Sequence, residues 1–162
     1  MYSSYSFDDV LLVPNYSDVN SRVEINIGNK LANYKFDIPI ISSPMDTVTE
    51  YEMSVVMAES GGMGIIHRYN TIEDQAFLVQ RTLSDAGADI VGAAVGTTGD
   101  YEERASALYE VGAQLICLDV AHGHHVLVKS ALQKLKSNFG DRIHLMAGNV
   151  ATLKALEAVA DW

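Results

Sequence analysis

A single cysteine, eleven cations against twenty-one acidic residues and the lack of any long apolar run are the shortages of this 162-residue chain. The lone thiol, Cys117, sits inside an apolar run and can make no internal disulfide, so a reducing, cytoplasmic setting is expected. A formal charge of −10 and a pI near 4.7 leave no electrostatic footprint for nucleic acid or an anionic membrane, and neither is expected as a partner. An anionic ligand would need local help from helix N-termini or placed cations, because the global field opposes it. No stretch approaches the roughly 18 apolar residues of a membrane helix, and Met1 to Asp9 is polar and acidic rather than a secretory signal.

What the chain does have is a repeated unit: a short apolar run ending in a polar cluster, a capped amphipathic helix, a glycine stop, then another apolar run. The runs are Pro39–Ile41, Met63–Ile66, Ile90–Val95, Leu115–Leu118 and Leu145–Ala147. Their last apolar residues lie 25, 29, 23 and 29 residues apart, about one strand plus one crossover helix. The runs do not alternate, which is the pattern of parallel strands covered on both faces. Thr49 with Glu52, Thr71 with Asp74 and Asp100 with Glu103 have capping-box spacing, and Gly87, Gly112 and Gly140 stand where helices should stop. Ahead of the repeat, Asp8–Val13 reads as a short strand, Pro14–Arg22 as an extended loop, and Val23–Phe36 as a hairpin turning at Gly28-Asn29. Five such units suit either a complete doubly wound sheet or part of a (β/α)8 barrel, which needs about 250 residues; length alone favours the sheet.

In both folds the chemistry gathers at the carboxyl ends of the strands. The first ends Ser42-Ser43-Pro44-Met45-Asp46-Thr47, small hydroxyls beside a helix start, suited to a phosphate or ribose but equally to ordinary turn chemistry. The second ends His67-Arg68, where a lone histidine is more often structural than catalytic. The third ends Gly96-Thr97-Thr98-Gly99, glycine-rich without the full dinucleotide spacing. The fourth gives Asp119-Val120-Ala121-His122-Gly123-His124-His125. Asp119 can accept ribose hydroxyls, whereas no regular element puts the three histidines on one face, and no metal site is expected. The fifth ends Gly148-Asn149, and Asn149 offers both a donor and an acceptor.

Taken in order, these segments resemble the IMP dehydrogenase and GMP reductase family. The matching stretches are Phe7–Leu12 with Pro14, Ser42–Glu50, Gly61–His67, Val91–Gly96, Asp119–His124 and Ala147–Thr152. The resemblance implies a (β/α)8 TIM-type barrel of which residues 39–162 hold the first five units, with residues 1–38 as an N-terminal extension or hairpin covering the barrel. It implies hydride transfer between a nicotinamide cofactor and C2 of a purine nucleoside monophosphate, with Ser43 and Met45 as substrate-binding positions and Asp119, Val120, Ala121 and Asn149 at the cofactor. It also implies a homotetramer, and a monovalent cation near a loop carrying the catalytic cysteine.

That loop is expected beyond Trp162, so no catalytic residue is assigned within the chain, and the 162 residues alone are expected to be inactive. Cys117, inside a strand, is read as core. Arg81–Asp89 runs straight from helix to strand and leaves no room for the CBS-domain pair that dehydrogenases of the family usually carry. This, with Val19–Arg22 and His67–Tyr69, favours GMP reductase with NADPH over IMP dehydrogenase with NAD, although Ser42–Glu50 and Val91–Gly96 look more like the dehydrogenase. The alternative outside enzymology is a noncatalytic half-barrel that binds nucleotide or serves assembly.

Overall fold

A computed structural model of the chain describes residues 5–31 and 33–162. A hairpin of β1 (Asn29–Leu31) and β2 (Tyr34–Phe36) precedes a repeating unit of β3 (Ile41–Ser42), α1 (Tyr51–Glu59), β4 (Met63–Ile66), α2 (Ile72–Ala86), β5 (Gly92–Val95), α3 (Tyr101–Glu110), β6 (Leu115–Asp119), α4 (Val126–Phe139), β7 (His144–Gly148) and α5 (Leu153–Ala160). The five strands β3 to β7 are parallel and lie in sequence order. A doubly wound sheet reverses its strand order at a switch point; this one does not, and the complete-sheet alternative is excluded.

The sheet is curled. Flat, its two edge strands would stand roughly 19 Å apart at about 4.8 Å per strand. Instead Ile41 and Ser43 from one edge and Met146 and Asn149 from the other line a single cleft of about 240 Å³. This is the wall of a partial (β/α)8 barrel. Along β6, Leu115 and Cys117 face the concave side with Met63, Ile65 and Ala94, while Ile116 and Leu118 face the helices with Leu108, Leu132 and Leu135. Both faces of the inner strands β4, β5 and β6 are buried, which is why these strands read as unbroken apolar runs. Burying each of these aliphatic side chains contributes about 1.5–3 kcal/mol.

Several local expectations are corrected. The hairpin reverses between Leu31 and Tyr34, not at Gly28-Asn29. Gly28 serves close approach instead, since a Cβ there would lie 2.7 Å from the Phe36 carbonyl oxygen. Asp8–Val13 is not a strand. A 3-10 turn occupies Phe7–Asp9, with the Asp9 carboxylate accepting from the Ser6 N–H at 2.8 Å, and among the described residues no strand pairs with residues 10–13. Leu11 and Leu12 stand almost wholly in solvent. The hairpin itself packs Leu31, Tyr34 and Phe36 against the concave-side cluster.

Capping is as expected at one of three positions. Thr71 accepts from the Asp74 N–H at 3.0 Å, and its hydroxyl donates to the Asp74 carboxylate at 2.8 Å. At α3, the Asp100 side chain leaves the helix end uncapped and binds Arg104 instead. At α1, the N-cap position falls to Glu50, and Thr49 is drawn into the interior. Gly87 closes α2 in the left-handed region at φ 56°, where nothing crowds it and the backbone alone calls for glycine.

Helix α1 packs closely on β4. A Cβ at Gly64 would stand 2.7 Å from the Ser54 Oγ and 2.8 Å from the Ser54 Cα. Because backbone is part of that clash, Gly64→Ala should destabilise the chain by about 1–3 kcal/mol, read as a lowered melting temperature. Adding Ser54→Gly should restore little of it.

Candidate functional site

The cleft on the concave side is lined at its carboxyl rim by Ser42 at the end of β3 with Ser43 and Pro44 after it, Asp119 at the end of β6, and Gly148 at the end of β7 with Asn149 after it. Ile65, Cys117 and Met146 form its floor. Of the residues singled out by sequence, the structure therefore brings Ser43, Asp119 and Asn149 together. It does not bring the other three with them. Met45 stands half exposed outside the cleft, Val120 packs toward the helix-side core, and Ala121 is exposed. Val120 alternates away from Asp119 because the strand's two-residue period continues through it.

Backbone hydrogen bonds carry the β6–β7 pairing past the strand ends. The Val120 N–H donates to Gly148, the Asn149 N–H to Val120 at 2.7 Å, and the Gly123 N–H to Asn149 at 2.7 Å. Gly123 permits this approach, since a Cβ there would stand 3.0 Å from the Asn149 carbonyl oxygen. Asp119 and Asn149 are thereby fixed side by side.

On the opposite wall, Ser43 is held by Thr49. The buried Thr49 Oγ1 lies 2.6 Å from the Ser43 carbonyl and 2.9 Å from the Ser42 Oγ. A carbonyl only accepts, so the Thr49 proton goes to Ser43 and the Ser42 hydroxyl donates to Thr49. The spacing of Thr49 marks it as a helix cap and gives no hint of this role; a local pattern carries no sign of bonds six and seven residues back.

His67 is structural. Its Nδ1 accepts from the Tyr69 N–H at 3.0 Å, so the proton sits on Nε2, which donates to the Glu50 carboxylate at 3.0 Å. Arg68 reaches from the end of β4 across to the Asp119 carbonyl oxygen at 3.4 Å, and its Nε is buried without a partner among the described residues. His124 and His125 are engaged locally. His125 caps α4, its Nδ1 accepting from the Leu127 N–H, and His124 lies against the Trp162 ring. Among the described residues no three metal-ligating side chains converge.

Larger hollows exist on the helix layer, about 440 Å³ beside Asp46, Glu50, Met53 and Val56 and about 350 Å³ between α4 and α5. Neither gathers hydroxyl, carboxylate and carboxamide groups as the rim cleft does.

A family model for the IMP dehydrogenase / GMP reductase domain matches residues 4–162. The chain belongs to that family. It is 35% identical to an inosine-5'-monophosphate dehydrogenase of Cryptosporidium parvum, over 96% of this chain and 48% of that protein. It is 29% identical to a GMP reductase of Mesoplasma florum, over 100% of this chain and 50% of that protein. A GMP reductase of Streptococcus agalactiae serotype V is 32% identical, over 94% of this chain and 45% of that protein. The chain thus spans about half the length of these curated relatives.

Burial, with the Asp119 carboxylate adding to it, pushes the Cys117 thiol up to about 12. At neutral pH it carries no thiolate, the form that attacks. Native chain should therefore react with a disulfide reagent at pH 8 at least a hundredfold more slowly than chain unfolded in guanidinium. The thiol is also protonated more firmly folded than unfolded, so its contribution to stability is whole below about pH 9 and is lost as pH rises toward 12. Cys117→Ala should flatten that part of an alkaline denaturation profile.

Proposed function

We propose that this chain forms the nucleotide-facing first half of the barrel of a purine nucleoside monophosphate oxidoreductase, with GMP reductase as the favoured member. The observation that supports it is the meeting of Ser43, Asp119 and Asn149 at one carboxyl rim, in a family that includes both activities.

The residues fit a nicotinamide cofactor lying against a nucleotide. Asp119 is a carboxylate that accepts ribose hydroxyls, and Asn149 can both donate to and accept from a carboxamide. Ser43, its backbone pinned by Thr49, offers a small hydroxyl to the mononucleotide on the facing wall. Among the described residues no cation lines the cleft, so phosphate falls to groups outside it. The dinucleotide, when bound, supplies or accepts the hydride at the purine C2. Cys117 does not serve as the nucleophile, because its thiol stays protonated and lies in the cleft floor. That role belongs to a cysteine on a loop not found in these 162 residues.

The reductase reading draws on the five-residue passage from Ala86 to Gly92, with no domain inserted, and on His67-Arg68-Tyr69. IMP dehydrogenase with NAD is the second reading, favoured by 51% identity over 77 residues to an inosine-5'-monophosphate dehydrogenase of Methanocaldococcus jannaschii, a match covering 48% of this chain and 15% of that protein.

The protein carrying the whole barrel should oxidise NADPH and release ammonia when given GMP. NADH formation from IMP and NAD instead would replace the reductase by the dehydrogenase, and failure of both would remove the enzyme reading. Asp119→Asn should raise the KM for the dinucleotide roughly 10- to 100-fold, the cost of a charged hydrogen bond, with the melting temperature little changed.

A further inference from the structure

The rim has a support that the nucleotide-facing residues do not explain. Gln75, fully buried on α2, donates through Nε2 to the Ile66 carbonyl at 3.2 Å and to the Ala94 carbonyl at 2.9 Å. Those carbonyls belong to the last residue of β4 and the penultimate residue of the adjacent strand β5. The backbone ladder between these strands has only two residue pairs, Ile65 with Gly92 and Ile66 with Ala93, against four between β5 and β6. Gln75 closes the seam where the ladder stops.

The orientation of its carboxamide is unambiguous. Oε1 accepts from the Arg104 Nη1 at 2.9 Å, and a guanidinium only donates, while the two strand carbonyls only accept. Arg104, itself 7% exposed, is held in turn by Asp100 at 2.7 Å and by the carbonyls of Asn70 and Thr71. A buried arginine and glutamine are costly in an apolar layer, and well-packed aliphatic residues would stabilise it as well. What they would not do is fix two strand ends at a set spacing.

We propose that Gln75, locked by Arg104, is a positioning residue for the binding rim. It sets the ends of β4 and β5, hence His67-Arg68 and Gly96, and through the Arg68 bond it sets the backbone of Asp119. A Cβ at Gly96 would stand 3.6 Å from the Arg68 Nη1, so the guanidinium lies directly over that strand end. The identity of the ligand so served rests on the purine nucleotide reading; the mechanical role does not.

Amide hydrogen exchange on the 162-residue chain separates the two. In Gln75→Leu, the amides of His67 and of the β4–β5 ladder should exchange at least tenfold faster, with those of Leu132 and Leu135 in α4 within twofold of the parent. A uniform change along the chain, or an unchanged rim, overturns the proposal. Should Gln75→Leu not fold, Arg104→Lys keeps the charge facing Asp100 but loses the second nitrogen that meets Gln75; the same local pattern is expected there, and its absence overturns the proposal equally. In the protein carrying the whole barrel, Gln75→Leu should raise the KM for the dinucleotide about tenfold and leave that for the mononucleotide within twofold. An active parent whose dinucleotide KM does not move in the variant counts against the proposal. If the rim loosens and even the parent turns over no purine nucleotide, the positioning role stands and the proposed function falls.

Discussion

The arrangement of this molecule depends on one constraint: parallel strands added in sequence order require every crossover to pass on the same side. Crossovers between parallel strands are right-handed, so without a reversal in strand order all the helices from α1 to α4 gather on one face. The other face is left to curl on itself, and every loop leaving a strand emerges at one rim. Ser43, Asp119 and Asn149 are distant in sequence yet meet there for this reason alone. The two apolar layers obey the same geometry, Leu115 and Cys117 filling the concave side while Ile116 and Leu118 anchor the helices.

Apolar packing sets the distance between layers but not the details of the rim, which are fixed by buried polar groups. Thr49 ties the first loop to its own strand, the carboxamide of Gln75 spans the second and third strands of the sheet, and the Asn149 backbone is stitched to Val120 and Gly123. Each group is satisfied on all the sides that matter, as burial demands. The contrast is with Arg68, whose Nε lies buried beside the cleft with no partner among the described residues.

The sequence is most legible where the signal is local or periodic. Met63–Ile66 forms a strand over the whole of its apolar run, the Thr71 cap and the Gly87 stop are in place, and His125 begins a helix. The family motifs settle barrel over complete sheet, a choice that spacing alone decides the other way. Less legible are features that depend on a distant partner. Thr49 and Asp100 have the residue types of helix caps, but a strand-end carbonyl and a buried guanidinium hold them more strongly than the helix does. The hairpin takes the register that packs Leu31, Tyr34 and Phe36 on the barrel wall rather than the turn preference of Gly28-Asn29. Of the six rim residues taken from sequence, Val120 turns away because neighbours in a strand point in opposite directions, and Met45 and Ala121 fall outside the cleft on the loops that follow β3 and β6.

The passage from α2 to β5 opens at the amino-terminal ends of the strands, where Gly87 and Asp89 sit with Lys35, Asp37 and Gly61 around a small polar hollow. The cleft lies at the far end of the same strands. The passage and the cleft are thus separated by the full height of the wall. Whatever happens at that junction reaches the rim only through the strands themselves.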